Sequence, residues 1–136
     1  MSGFLDTSVI VRYLTGDDEE LAARAERIID GDQEIWITDV VLAEASYVLS
    51  SVYHLPREMI VNQLLDLVRK RNIMVHGIEK GLVLQALLMC QPSGRVSVAD
   101  ALIWAAARSS RAEVVYSFDQ RFLDDGLEVR SSAAGP

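Results

Sequence analysis

Cysteine is nearly absent: Cys90 is the only one in 136 residues, so no internal disulfide can form. That fits a reducing cytoplasm, and its setting in "ALLMCQP" reads as a buried thiol acting as a small apolar side chain. Histidine is almost as scarce. His54 and His76 lie far apart with no cysteine pattern beside them, which excludes a zinc site of the usual ligand spacing. Lysine occurs only at positions 70 and 80 among 13 basic residues. The cations are therefore mostly arginines, which can fork onto phosphate or carboxylate where lysine offers a point charge. No apolar run reaches the length needed to cross a bilayer. The first residues lack a basic segment followed by an apolar core, so no secretion signal is expected and the expected location is cytoplasmic. Internal repeats and long linkers are also missing, which predicts one domain over residues 1–130 and a loose tail, "SSAAGP", over 131–136.

Positive charge is in deficit, with a formal net charge of −7. This argues against broad, non-specific attraction to nucleic acid. It leaves room for an enzyme that acts on nucleic acid, because acids gathered around divalent cations repel phosphate less than the formal charge suggests.

What is present is a globular mixture, half hydrophobic and 24% charged. Residues 3–5 read as a short buried strand, followed by a helix to about Leu14 that Gly16 ends. "DDEELAARAERIIDG" reads as a helix with acids in its first turn and Gly31 as its stop. "EIWIT", "NIMVH" and "EVVYS" have strand composition, and "LEVR" fits an edge strand. Thr38 is placed to cap the helix "DVVLAEASYVLSSVY", and Pro56 to sit in the first turn of "PREMIVNQLLDLVRKR". "EKGLVLQALLMCQ" is helical until Pro92, Ser93 and Gly94 break it; residues 97–110 form the most apolar helix, and "QRFL" suggests a helical turn. Alternating strands and helices predict an α/β sandwich with a mostly parallel sheet, whose strand C-terminal ends share one edge.

Four carboxylates occupy unexpected places in that plan. Asp6 follows the first strand and Asp119 the fourth, so both face the edge where such folds hold ligands. Either one alone reads as readily as a helix or turn cap. Glu44 falls with Val40, Val41, Tyr47 and Val48 on one helical stripe, where a buried unpaired acid is costly; an ion pair with Arg12 is its structural alternative. Asp100 is the only charge in "VSVADALIWAAA", although Ser97 is better placed as that helix's cap. The doublets at 17–18 and 124–125 read as solvated ends or turns. Four acids converging on one edge would repel without cations, and all-oxygen ligation favours Mg²⁺ or Mn²⁺. Such ions can activate a water and stabilise the leaving oxygen of a phosphodiester.

The stretches "FLDTSVIVRYLTGDD", "ITDVVLAEASYVL", "VADALIWAAA" and "VVYSFDQRF", in that order, resemble the PIN domain family, most closely the VapC-type toxin ribonucleases of toxin–antitoxin pairs. The resemblance implies a three-layer α/β/α fold around a parallel sheet of four or five strands. It implies an acidic site of Asp6, Glu44, Asp100 and Asp119, with Thr7 and Ser8 in the small polar position after the first acid and Ser117 where the family usually has threonine. It also implies a Mg²⁺-dependent endoribonuclease that leaves a 3′-hydroxyl and a 5′-phosphate, held in check by an antitoxin. A basic or amphipathic antitoxin segment, bringing an arginine to the carboxylates, is the expected inhibitor. A homodimer is expected, because Tyr47, Leu49, Val52, Tyr53, Leu55, Ile60 and Leu64 exceed what one helix face can bury.

The competing reading is a non-catalytic PIN-fold module that binds RNA or protein, against which the intact acids count. An aspartate phosphatase or phospho-receiver fits worse. "DTS" lacks the second aspartate of the phosphatases, and neither lysine follows a late strand.

Overall fold

The structure is a computed structural model that describes residues 2–92 and 95–133. The chain divides into two compact units, Met1–His76 and Gly77–Pro136. The expected break at Ser93 and Gly94, and the end of the expected tail at 134–136, lie outside the described residues.

The first unit runs β1 (Gly3–Phe4), α1 (Thr7–Thr15), α2 (Glu19–Ile29), β2 (Ile35–Ile37), α3 (Asp39–Ser51), α4 (Arg57–Arg69) and β3 (Ile73–Val75). Its strands form one parallel sheet in the order β1-β2-β3, with Phe4 opposite Trp36 and Trp36 opposite Met74. Ile35, Ile37, Ile73 and Val75 are buried on one face, as strand periodicity requires. The other face carries Phe4 and Trp36, with His76 just past β3; the rings lie 5.6–6.4 Å apart between centroids. Helix ends follow local chemistry. Asp6, Asp18 and Thr38 accept backbone N–H bonds as the caps of α1, α2 and α3. Gly16 closes α1 at φ 63°, a conformation that suits a residue without Cβ. Two details differ from the sequence reading. Pro56 is the N-cap of α4 rather than a first-turn residue, and α2 stops at Ile29 with Asp30, not Gly31, as its cap. Asn72 ties the α2–β2 loop to β3 by donating to the carbonyls of Ile29, Gly31 and Gln33.

The second unit runs α5 (Lys80–Met89), α6 (Val98–Ser109), β4 (Val114–Tyr116) and β5 (Glu128–Arg130). Strands β4 and β5 pair in parallel, with Val115 opposite Val129. Helices α5 and α6 pack together; Val83, Ala86, Leu87, Ala101, Leu102 and Ala105 are buried, and so is Cys90, as its setting predicts. Trp104 is also fully buried, and its indole Nε1–H donates to the Asp125 carbonyl at 2.7 Å. The Arg108 guanidinium lies over the Trp104 ring and donates to the same carbonyl at 3.2 Å. Gly126, at φ 75°, makes room for it, since a Cβ there would strike that guanidinium.

All five expected strands are present, and every recorded pairing is parallel. The described residues pair them as ladders of three and two. The helical turn expected at "QRFL" is instead a hydrogen-bonded turn, with the Phe122 N–H donating to the Asp119 carbonyl at 3.0 Å.

Candidate functional site

Asp6 stands where β1 hands over to α1. The Leu5 N–H still donates to Trp36 on the neighbouring strand, while the Asp6 carbonyl already accepts from the first turn of the helix. Its Oδ2 accepts from the Ser8 hydroxyl at 2.6 Å and from the Ser8 N–H at 3.2 Å. The Ser8 hydroxyl, and then the Ser8 N–H, hold the Asp6 carboxyl below its usual range. Asp6 is thus a true N-cap and also an exposed, ionised carboxylate. Thr7, next to it, is buried.

Glu44 lies on α3, but not on a buried stripe. The core face of α3 is Leu42, Ala45 and Leu49, whereas Val40 and Tyr47 are 65% and 71% exposed. Glu44 shares that outward stripe, so its charge stays in solvent and the expected burial cost does not arise. Nor is Arg12 its partner: Arg12 Nη1 donates to Asp17 Oδ1 at 2.8 Å.

Asp6 and Glu44 nevertheless line one open groove of about 370 Å³, together with Thr7, Ser8, Arg12, Val48 and Tyr53. Two carboxylates and a hydroxyl on one rim offer the hard oxygen donors that a divalent cation takes. Beside them lies a cluster around Asp17, which by its pattern alone reads as a solvated end or turn. Asp17 accepts from Arg12, from the Tyr53 hydroxyl at 2.6 Å and from the Thr15 hydroxyl at 3.0 Å. The Tyr53 hydrogen bond, followed by that of Arg12, lowers the Asp17 carboxyl to about 2. The available signal was Gly16, whose left-handed turn folds Asp17 back toward Arg12 on the last turn of α1.

In the second unit, Asp100 sits half-exposed in the first turn of α6. Ser97 is the cap there, its Oγ accepting the Asp100 N–H at 3.0 Å. Asp119 is exposed beyond the end of β4. Ser117 Oγ accepts the Asp119 N–H at 3.0 Å, and Asp119 Oδ1 accepts the Arg121 N–H at 2.9 Å, so the turn around Asp119 is fixed on both sides. The hydroxyl that Ser117 keeps in the family's threonine position thus bonds the Asp119 backbone. Among the described residues, no group of three or more His, Cys, Asp or Glu side chains stands together as a metal site.

Of the seven apolar residues counted as more than one helix face can bury, Leu49, Ile60 and Leu64 are core, on the inward faces of α3 and α4. Tyr47 and Val52 are exposed, as are Val40 and Met59, which were not expected.

Parallel strands alternating with helices, with Asp6 and Asp119 just past the C-terminal ends of β1 and β4, define an α/β protein with acidic side chains at its strand ends. A family model for the PIN domain matches residues 3–125, running through both units, and the chain belongs to the PIN domain family. PIN domains are generally nuclease modules and typically use divalent metals. No curated protein matches the chain. Among the described residues, no helix is long and apolar enough to cross a membrane.

Proposed function

We propose that this chain is a Mg²⁺-dependent endoribonuclease of the VapC type, acting as the toxin of a toxin–antitoxin pair in the cytoplasm. The observation that carries the reading is the placement of Asp6 and Glu44 on one open groove in a PIN-family chain. In this reading Asp6, Asp100 and Asp119 would hold the ion, and Glu44 would ligate through a water or orient the attacking water. A bound Mg²⁺ supplies charge neutralisation at the phosphate and a lowered pKa for water. The protein's own part is to keep the carboxylates ionised and aimed. Ser8 does this for Asp6, and the Ser117 hydroxyl, accepting the Asp119 N–H, fixes the backbone of the turn that carries Asp119.

The domain is proposed to run over 1–130 as a single functional body, in keeping with a family match that crosses both units. The proposed assembly is a homodimer bound by an antitoxin. Exposed Val40, Tyr47 and Val52 of the α3 region support an interface there, and light scattering tests it. The nuclease reading is tested by incubating the purified chain with a panel of structured RNAs in Mg²⁺ and in EDTA. Cleavage confined to the Mg²⁺ arm, with 5′-phosphate ends, is the expected result. Binding without cleavage would favour the non-catalytic PIN module.

A further inference from the structure

A groove rimmed by Asp6 and Glu44 repels the phosphodiester that it is proposed to take, unless a cation stands beside it. Among the described residues that line it, the only cationic side chain is Arg12. We infer that Arg12 is the residue that binds a substrate phosphate in this groove, and that Asp17 and Tyr53 are positioning residues that hold its guanidinium at the rim. The inference rests on the ribonuclease reading and names the group that receives the RNA backbone.

Three observations carry it. Asp17 engages Arg12 through one N–H, from Nη1, so most of the five donors of the guanidinium fork remain for a second anion. Asp17 is itself pinned: Tyr53 donates to its Oδ2 and Thr15 to its Oδ1. The Arg12 side chain, 36% exposed, is therefore ordered before any ligand arrives, which reduces the rotamer entropy lost on binding. Tyr53 lines the same groove, so the support and the supported group both belong to the site. A purely structural reading of the cluster, as a tie between the end of α1 and the segment after α3, predicts a loss of stability and nothing else.

The test uses the full chain with a 5′-labelled single-stranded RNA oligonucleotide. Anisotropy is read in EDTA across a NaCl series, initial rates in Mg²⁺, and melting temperature for each variant. R12Q is expected to weaken RNA binding at least about tenfold and to lower the salt slope by about 0.7, the value for one single-strand phosphate contact. Its loss in kcat/KM should fall mainly on KM. R12K should restore the slope but only part of the affinity, because a point charge cannot fork. D17N should weaken binding less than R12Q, since it loosens Arg12 without removing it. Should R12Q fold poorly, R12K and D17N carry the same comparison. Parental Kd, KM and salt slope in R12Q, with only a lower melting temperature, would overturn the inference, as would failure of the parent chain to bind RNA. Arg12-dependent binding by a parent that does not cleave would uphold Arg12 and sink the ribonuclease reading. Cleavage indifferent to Arg12 would do the reverse.

Discussion

At the scale of single residues, one side chain can satisfy the backbone and still remain available for chemistry. Asp6 caps α1 through Ser8 and opens onto the groove with the same carboxylate. Asp17 shows how strongly such local bonding biases ionisation. Its folded value of about 2 lies below the ordinary 3.8, so the ionised form is the one that folding favours. Its stabilising contribution is therefore full above pH 3.8 and is lost as pH falls from there through about 2. The leading cause is the Tyr53 hydroxyl, so Tyr53→Phe should move the Asp17 titration back toward the ordinary value. The acid-unfolding midpoint, followed by circular dichroism, should then rise in pH relative to the parent. An unchanged midpoint would mean that Tyr53 does not hold Asp17 in solution. Tyr13 works in the opposite direction. Burial first, and then its hydrogen bond to Asp30 at 2.6 Å, raise its phenol to about 12. A spectrophotometric titration should show one phenol ionising near 12, and Tyr13→Phe should abolish that step.

At the scale of elements, legibility followed the strength of the local signal. Strands were readable because β-branched and aromatic residues cluster between turn residues, and their parallel pairing followed from the alternation with helices. Caps were readable at Thr38 and Ser97, whose hydroxyls have no better local use. Helix α3 was misread, because apolar residues occupy both of its stripes. Leu42, Ala45 and Leu49 compete with Val40, Val41 and Tyr47, and periodicity alone cannot say which set turns inward. The Asp17 cluster was unreadable for another reason, since its contact with Tyr53 spans 36 residues of sequence. Long-range contacts of the same kind stabilise the second unit. Trp104 packs fully buried in α6 and donates to Asp125, far ahead in the chain. Trp104→Phe should cost roughly 1–3 kcal/mol, combining a lost hydrogen bond with a partly filled cavity. Trp104→Ala, which loses the same hydrogen bond and leaves a larger cavity, should cost roughly 3–5 kcal/mol. Urea denaturation of the two variants tests this, and near-parental stability in both would mean that this unit's core is organised around other residues.

At the scale of the whole molecule, the question is whether acids scattered along the chain act together. The resemblance named all four; the structure unites Asp6 and Glu44 on one groove, and it places Asp100 and Asp119 within the other unit. Asp100 gives the sharpest test, because its two roles predict opposite signs. As an ordinary first-turn acid on a helix already capped by Ser97, it contributes only the dipole effect. Asp100→Asn would then cost about 0.3–1 kcal/mol and leave activity intact. As one of several clustered metal ligands, its charge is a source of repulsion in the metal-free chain. Asp100→Asn would then melt at the parental temperature or higher in EDTA, while RNA cleavage falls by orders of magnitude. The rise in melting temperature on adding Mg²⁺ should shrink at the same time, because stabilisation by a ligand depends on its affinity for the native state. Both proteins should be melted with and without Mg²⁺ and assayed on the same RNA. If the variant cleaves near the parental rate and keeps the full Mg²⁺-dependent rise, Asp100 is a helix-terminus acid, and the metal site must be built from other residues.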